Sequence, residues 1–369
     1  MKTLETERLV LRLFKDDDLY DFNEYAKVEG VGERAGWFHH RSLEESKRVL
    51  TAFMEQKDTF AVVLRENQKV IGSIGLHNRE NNPKVLEIGY VLSKDYWGKG
   101  LMTEAVSKVI EYCFKELGLE AITCGHFVEN RASQRVIEKM GFQFVEAGKY
   151  YSKNMDREFD HRKYLLTNER YTRIQEDKAL KSMSNDERWR LFPITLTDHS
   201  KHWSEWYRDM EKRLLDKLGS LVVRVSHIGS TAIEGLIAKP TIDILLEIAE
   251  DTELESFKIS MDELRLRYHN QPDNAPPHMM FTKGYSIKGY EDKVFHIHVR
   301  YLGDWDELYF RDYLNDEVKV KKAYENLKIE LARLFKYDRN RYTDAKTDFI
   351  REASRKARLK YGYIYKKKD

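Results

Sequence analysis

At roughly 150 residues per domain, 369 residues make two domains, and a formal net charge of +2, balanced in each half, excludes binding a nucleic-acid backbone by charge alone. With 41% apolar and 34% charged residues the chain reads as soluble and globular, and no apolar run approaches the ~18 residues of a membrane span. Cys113 and Cys124 fall in a helix pattern and a strand pattern, outside any disulfide or Cys/His metal framework, and Met1 opens on polar sequence without a signal peptide; a reducing cytoplasm is expected, without membrane partners.

Residues 4–14 alternate as an opening strand, and residues 16–27 follow as a helix with acids in its first turn, where the dipole favours them. Residues 28–42, with Gly30, Gly32, Gly36 and Trp37-Phe38-His39-His40, read as a loop, and 43–56 as a second helix. Strands at 60–64 and 70–76 join through Asn67-Gln68. Leu86, Ile88, Tyr90 and Leu92 then point one way and Glu87, Gly89 and Val91 the other, the period of a half-buried strand. Ala105, Val106, Val109, Ile110 and Cys113 carry the period of a helix. Between them Gly98-Lys99-Gly100 lets the backbone turn and bare its amides; a strand, a glycine turn and a helix N-terminus make an anion site. Neither G-x-G-x-x-G nor G-K-[ST] is present, so the dinucleotide and P-loop fingerprints fail. A strand at 121–127, a helix from Asn130 to Lys139 ended by Gly141, and a hairpin of 142–151 with 158–166 complete a mixed sheet flanked by helices.

Thr6-Glu-Arg-Leu-Val-Leu-Arg, Glu87-Ile-Gly-Tyr, Tyr96-Trp-Gly-Lys-Gly, Asn130-x-x-Ser133 and Glu138-Lys-Met-Gly-Phe together resemble the GNAT acyltransferases, especially the ribosomal-protein-alanine branch. The resemblance implies acetyl-CoA as donor. Its pyrophosphate would lie on the amides around Trp97, Gly98, Lys99, Gly100, Leu101 and Met102, and its pantetheine against Tyr90, Val91 and Leu92. Asn130 and Ser133 would contact the cofactor or steer the thiolate; helix capping is the plainer reading. An attacking amine whose ammonium has a pKa near ~10 needs a base. Glu87, on the face turned away from Leu86 and Ile88, is the candidate, with an exposed strand glutamate as the alternative. Many GNAT enzymes carry a general-acid Tyr four residues before the Gly-Phe; here that place holds Ile137, as this branch tends to lack the Tyr, leaving Ser133 or water to protonate the thiolate. Trp37, His39, His40, Tyr150 and Tyr151 would form an aromatic acceptor pocket for a protein N-terminus, an amino sugar or another small amine. No third ligand lies near His39-His40 in sequence, so that pair is not expected to hold a metal.

Residues 169–188, polar and poor in core residues, read as a partly helical linker between a domain at 1–168 and one at 189–369. The α/β pattern then restarts with a helix at 201–218, strands at 222–228 and 241–248 around a Gly229-Ser-Thr turn, and a helix at 253–268. Pro276-Pro277 opens a loop before a hairpin that ends in Val294-Phe-His-Ile-His-Val-Arg. Helices at 310–314 and 316–335 follow, then one to near Tyr361 that Thr343 could cap; Lys366-Lys-Lys reads as a solvated tail.

His227-Ile-Gly-Ser-Thr, Ala238-Lys-Pro, Ile242-Asp-Ile, His296-Ile-His-Val, Phe310-Arg-Asp-Tyr-Leu and Tyr342-Thr-Asp-Ala-Lys resemble the GrpB family, whose members look like nucleotidyltransferases. That fold grips a triphosphate with a Gly-Ser turn and holds Mg²⁺ with carboxylates two apart on the next strand. Gly229, Ser230 and Asp243 match. The second carboxylate position is Leu245, and Glu247, four residues on at ~3.3 Å each, is about 13 Å away. His296 and His298 share a strand face and could replace the missing ligand or simply bond within a polar groove. Lys239, Lys283, Arg300 and Arg311 could bind a nucleotide phosphate. The expected protein is α/β (α+β), two mixed sheets flanked by helices: an acetyl-CoA-dependent N-acetyltransferase joined to a nucleotidyltransferase-like unit. That second unit either transfers nucleotides, as in a bifunctional antibiotic-type modifying enzyme, or only binds a nucleotide or partner; Leu245 leans toward binding.

Overall fold

A computed structural model describes residues 1–78, 82–271, 274 and 277–366, so Pro276 and the end of the lysine tail lie outside the described residues. Contacts divide the chain into Met1–Asp177 and Lys178–Asp369. No helix among the described residues is long and apolar enough to cross a membrane.

The first unit runs β1 (Leu4–Glu5), β2 (Leu9–Leu13), α1 (Leu19–Ala26), α2 (Leu43–Gln56), β3 (Thr59–Leu64), β4 (Val70–His77), β5 (Val85–Leu92), α3 (Leu101–Lys115), β6 (Ala121–Phe127), α4 (Arg131–Met140), β7 (Gln143–Ser152), β8 (Arg157–Thr167) and α5 (Asn168–Ser182). Its eight strands lie in the order β1-β2-β3-β4-β5-β6-β8-β7. Burial explains the layers. Phe60 and Val62 of β3 face the core under α3 and α4, while Ala61 and Val63 face the core under α1 and α2, so this strand is covered on both sides. Truncating Phe60 to Ala would cost about 3–5 kcal/mol on this account.

One strand pair shapes everything that follows. β5 and β6 run parallel, as a helical crossover between them requires, but only Val85, Leu86 and Glu87 pair, with Ala121, Ile122 and Thr123. Beyond Glu87 the two strands part, and the sheet opens between them.

The second unit runs α6 (Asn185–Leu191), α7 (His202–Leu218), β9 (Val222–Ile228), β10 (Thr241–Ile248), α8 (Leu254–Glu263), β11 (Arg267–Asn270), β12 (Met279–Ser286), β13 (Gly289–Tyr301), α9 (Asp306–Asp316), α10 (Val318–Leu334) and α11 (Arg339–Tyr361). Its sheet order is β11-β12-β13-β10-β9, with β10 and β13 parallel. Along β10, Ile242, Ile244, Leu246 and Ile248 pack under α7 and α8. Asp243, Leu245 and Glu247 therefore take the opposite face.

Two sequence expectations change here. The helix expected to reach Tyr268 stops at Glu263; Arg265 takes φ +62°, and Arg267–Asn270 pairs with β12 as an edge strand. Thr343 caps nothing, because α11 has already begun at Arg339 with the Asp338 side chain accepting from the Arg341 amide. Within the expected linker, Tyr171 and Ile174 of α5 pack against the first unit's core, and Ser184 with Glu187 forms a capping box that starts α6.

Candidate functional site

Where β5 and β6 part, two adjoining cavities open. A smaller one of 260 Å³ lies against the loop from Tyr96 to Thr103, and a larger one of 890 Å³ lies beside Glu87, Trp37 and His39. Tyr90, Val91, Asn130, Ser133 and Arg34 line both. The opening thus connects an anion-type turn to an aromatic pocket.

Gly98 and Gly100 both take φ +76°, the left-handed conformation that a side chain would strain, and Gly100 caps α3. Among the described residues, none of the amides from Gly98 to Thr103 donates to a main-chain carbonyl. The loop is nonetheless held. Trp97 Nε1 donates to the Leu92 carbonyl at 2.8 Å, Arg34 lies 4.7 Å over the Trp97 ring, and Arg8 donates to the Lys99 carbonyl at 3.0 Å. Pre-fixed amides at a helix N-terminus suit paired phosphates. Every residue expected to hold the cofactor lines the smaller cavity except Lys99, whose ammonium lies 5.0 Å over Tyr96.

Glu87 pairs in register with His77 of β4 and Thr123 of β6 and lines the larger cavity, its charge reaching Cys124 and His161. Across the opening, the Ser133 Oγ lies 2.9 Å from the Tyr90 hydroxyl. Burial first, and Cys124 after it, push the Tyr90 phenol well above its ordinary range. Asn130 is committed to the scaffold: its Oδ1 accepts from the Ser133 amide at 3.2 Å, and its Nδ2 donates to the Arg34 carbonyl at 3.2 Å. It positions Ser133 and the segment that carries Arg34, so the plainer capping reading describes its bonds. Ile137 is 1% exposed and belongs to the core.

Trp37, His39 and Tyr150 line the larger cavity. Tyr151 does not; alternation along β7 turns it outward, where its hydroxyl donates to Asp156. Glu33 organises the loop, accepting from the amides of Gly30 and His39 and lying 2.8 Å from His39 Nδ1. Burial would raise its pKa, but these bonds together hold it below the usual carboxylate range. His40 Nδ1 is taken by Ser46 Oγ at 2.8 Å. The sequence reading missed Arg34, the stacked Phe127–Phe159 pair at 4.2 Å and His161. Alternation along 157–167 could have placed Phe159 and His161 on one face.

In the second unit, register brings Asp243 of β10 beside His296 of β13, with His298 two residues on along the same face. Asp243 Oδ1 lies 3.1 Å from His296 Nδ1 and 3.7 Å from His298 Nε2. Burial would raise the Asp243 carboxyl, but both histidines outweigh it and hold it well below its ordinary range. Gly229, at φ +69°, makes room for this carboxylate, since a Cβ there would meet Asp243 Oδ2 at 2.4 Å. Ser230 lies beside the Tyr324 hydroxyl. Lys239 is pushed down to about 7, by burial first and then by Arg339 and Lys346; Lys346 itself is pushed down to about 8.

The two arginines expected to bind phosphate carry other contacts. Arg311 is spent on structure, donating to Asp312, the His227 carbonyl and the Tyr365 hydroxyl. Arg300 donates to the Val299 carbonyl and lies 5.8 Å from Trp305. At the second carboxylate position Leu245 is fully buried against Ile228 and Leu308. Glu247, also fully buried, accepts a fork from Arg224 and the Gly303 amide, which removes it as a ligand.

Comparison with known proteins agrees with this division. Residues 8–143 match the acetyltransferase (GNAT) domain family and residues 193–356 the GrpB protein family. The uncharacterized N-acetyltransferase YoaA of Bacillus subtilis is 32% identical over 145 residues, 38% of this chain and 82% of that protein. The glutamate-rich protein GrpB of Alkalihalophilus pseudofirmus is 34% identical over 163 residues, 43% of this chain and 92% of that protein. A GNAT-family acetyltransferase crystal structure from Bacillus anthracis is 26% identical, covers 46% of this chain and 99% of its own, and has a TM-score of 0.43. The chain belongs to the GNAT acetyltransferase family through its first unit and to the GrpB family through its second.

Proposed function

We propose that the first unit transfers an acetyl group from acetyl-CoA to a primary amine, on a protein N-terminus or a small molecule. One observation carries this reading: a run of unpaired amides at Gly98–Thr103 opens into a gap between parted strands, with a carboxylate at its far side. Bound acetyl-CoA would supply a thioester carbonyl to the attacking amine. The chain's own part is to hold the diphosphate on those amides and leave strand amides of β5 facing the gap, where one can bond the oxyanion. Glu87 takes the proton that the ammonium must lose, directly or through a water. Ser133 then delivers a proton to the departing thiolate. Trp37, His39 and Tyr150 bound the acceptor side. Buried free thiols at Cys113 and Cys124 suit a reducing cytoplasm.

The second unit is best read as binding a nucleotide-type phosphate, with Gly229, Ser230 and Lys239 at its mouth, rather than transferring nucleotides. Two-Mg²⁺ chemistry needs a second carboxylate where Leu245 is buried. Acetyl-CoA consumption across peptides, aminoglycosides and polyamines, with Glu87→Gln as control, tests the first reading. It expects turnover with one of these amine classes and a large loss in the variant near neutral pH; unchanged turnover by the variant would contradict the assigned base.

A further inference from the structure

We propose that Asp243, His296 and His298 form a site for one divalent transition-metal ion, completed by a phosphate-class oxyanion that Lys239, Lys346 and Arg339 attract. The proposal deepens the binding reading of the second unit and does not depend on acetyl transfer.

The ligand atoms of the three residues all lie within 4.8 Å of one another. Metal–ligand bonds of about 2.1 Å span donor pairs of roughly 3.0–3.5 Å. The Asp243–His296 pair at 3.1 Å already fits, and the Asp243–His298 pair at 3.7 Å needs a small ring rotation. The strands fix this arrangement. Asp243 and His296 are register partners across a parallel ladder, and a period of two returns His298 to the same face. Side-chain search alone does not set it.

The surrounding contacts fix the His296 ring. His296 Nε2 lies 2.6 Å from the Tyr285 hydroxyl, which Arg339 Nη1 engages at 3.1 Å. Arg339 Nη2, which can only donate, also lies 3.2 Å from Nε2, so the ring carries its proton on Nδ1 toward Asp243, and an ion bound at Nδ1 displaces that proton. On the other side, the absence of a Cβ at Gly229 clears space beside Asp243 Oδ2.

Ligand chemistry selects the metal. Two neutral imidazoles and one carboxylate favour zinc, cobalt or iron over magnesium, which prefers oxygen ligands. Three protein ligands leave open positions. The charge of Asp243 also acts on Lys239, Lys346 and Arg339, and Lys239 and Lys346 flank the Tyr342 ring at 5.5 and 4.2 Å. An ion added beside these cations calls for an anion, and a phosphoryl oxygen can bond metal and lysine together.

Titration of the full-length chain with Co²⁺ alone, followed by its visible d–d bands, tests the site. The expected result is one equivalent bound, displaced by Zn²⁺ but not by equimolar Mg²⁺. His298→Ala and Asp243→Asn should each weaken binding at least about ten-fold. Adding inorganic pyrophosphate should tighten Co²⁺ binding, and Lys239→Met should abolish that gain. Circular dichroism verifies that the variants fold, and the wild-type Zn²⁺ competition stands without them. Absence of saturable Co²⁺ binding, or binding indifferent to both ligand variants, overturns the metal site. Pyrophosphate without effect on Co²⁺ affinity overturns the oxyanion. Retained CoA binding by His298→Ala keeps this failure distinct from any failure of the acetyltransferase reading.

Discussion

The Tyr90 hydroxyl and the Ser133 Oγ meet at 2.9 Å across the opening between β5 and α4. Tyr90 stands on a strand whose inner edge is unpaired beyond Glu87, and Ser133 stands in the first turn of a helix that Asn130 caps. Burial keeps the phenol protonated far above neutrality. On the proposed mechanism this bond holds the Ser133 hydroxyl that protonates the thiolate and regains its proton from water, and the buried Ile137 is no substitute for that donor.

On that account Ser133→Ala should lower kcat by roughly 10- to 100-fold with little change in KM for acetyl-CoA. Tyr90→Phe should cost less, and the double variant no more than Ser133→Ala alone. Steady-state kinetics on the amine found by screening measures all three. Additive losses would show that the two hydroxyls act independently.

Burial pushes the thiols of Cys113 and Cys124 up to about 12, so the thiolate is scarce at pH 8. The native chain should react with a chromogenic thiol reagent far more slowly than the unfolded chain, which should release two equivalents. Rapid labelling of the native chain would contradict the packing of α3 and β6.

Lys239 sits near 7 in the folded state against its ordinary 10.5. Between these values the unfolded chain holds more protons, so this residue's contribution to stability rises with pH across that window and is least favourable below pH 7. Urea unfolding of wild type and Lys239→Met should show the variant gaining relative stability as pH falls from 10 to 7, by roughly 1–3 kcal/mol. A difference that does not move with pH would place the ammonium in water.

Arg224 closes a fork on fully buried Glu247, with Nη2 at 2.7 Å from Oε1. Arg224→Met leaves a buried carboxylate short of its partner and should cost about 3–5 kcal/mol in urea unfolding of the second unit. Replacing both residues with apolar ones of similar size should recover much of that loss.

Much of the first site was legible because its parts are local. The alternation of Leu86–Leu92 and the two glycines at 98 and 100 each declare their conformation within a few residues. Parting of β5 from β6 was not legible, since it depends on how far two distant strands pair. That parting decides which of Tyr90, Arg34 and His161 share a cavity. Tyr150 and Tyr151 show the same limit: both are aromatic neighbours, but strand phase sends only one inward. In the second unit, Asp243 stood out through the family resemblance and the two histidines by their spacing, whereas the ties of Arg311 and Glu247 arise from partners far away in sequence. The Arg267–Asn270 strand was hidden by Leu264 and Tyr268, which continue the helical spacing of Phe257 and Met261.

Calorimetric titration of CoA into the full-length chain tests the central claim most directly, with Gly98→Val and Gly100→Val as the paired controls. A side chain at φ +76° strains either position by about 1–3 kcal/mol and displaces the amides. The account expects saturable binding at one site per chain, weakened at least about ten-fold by each variant while the fold is retained. No heat of binding, or affinity unchanged in both variants, would contradict it.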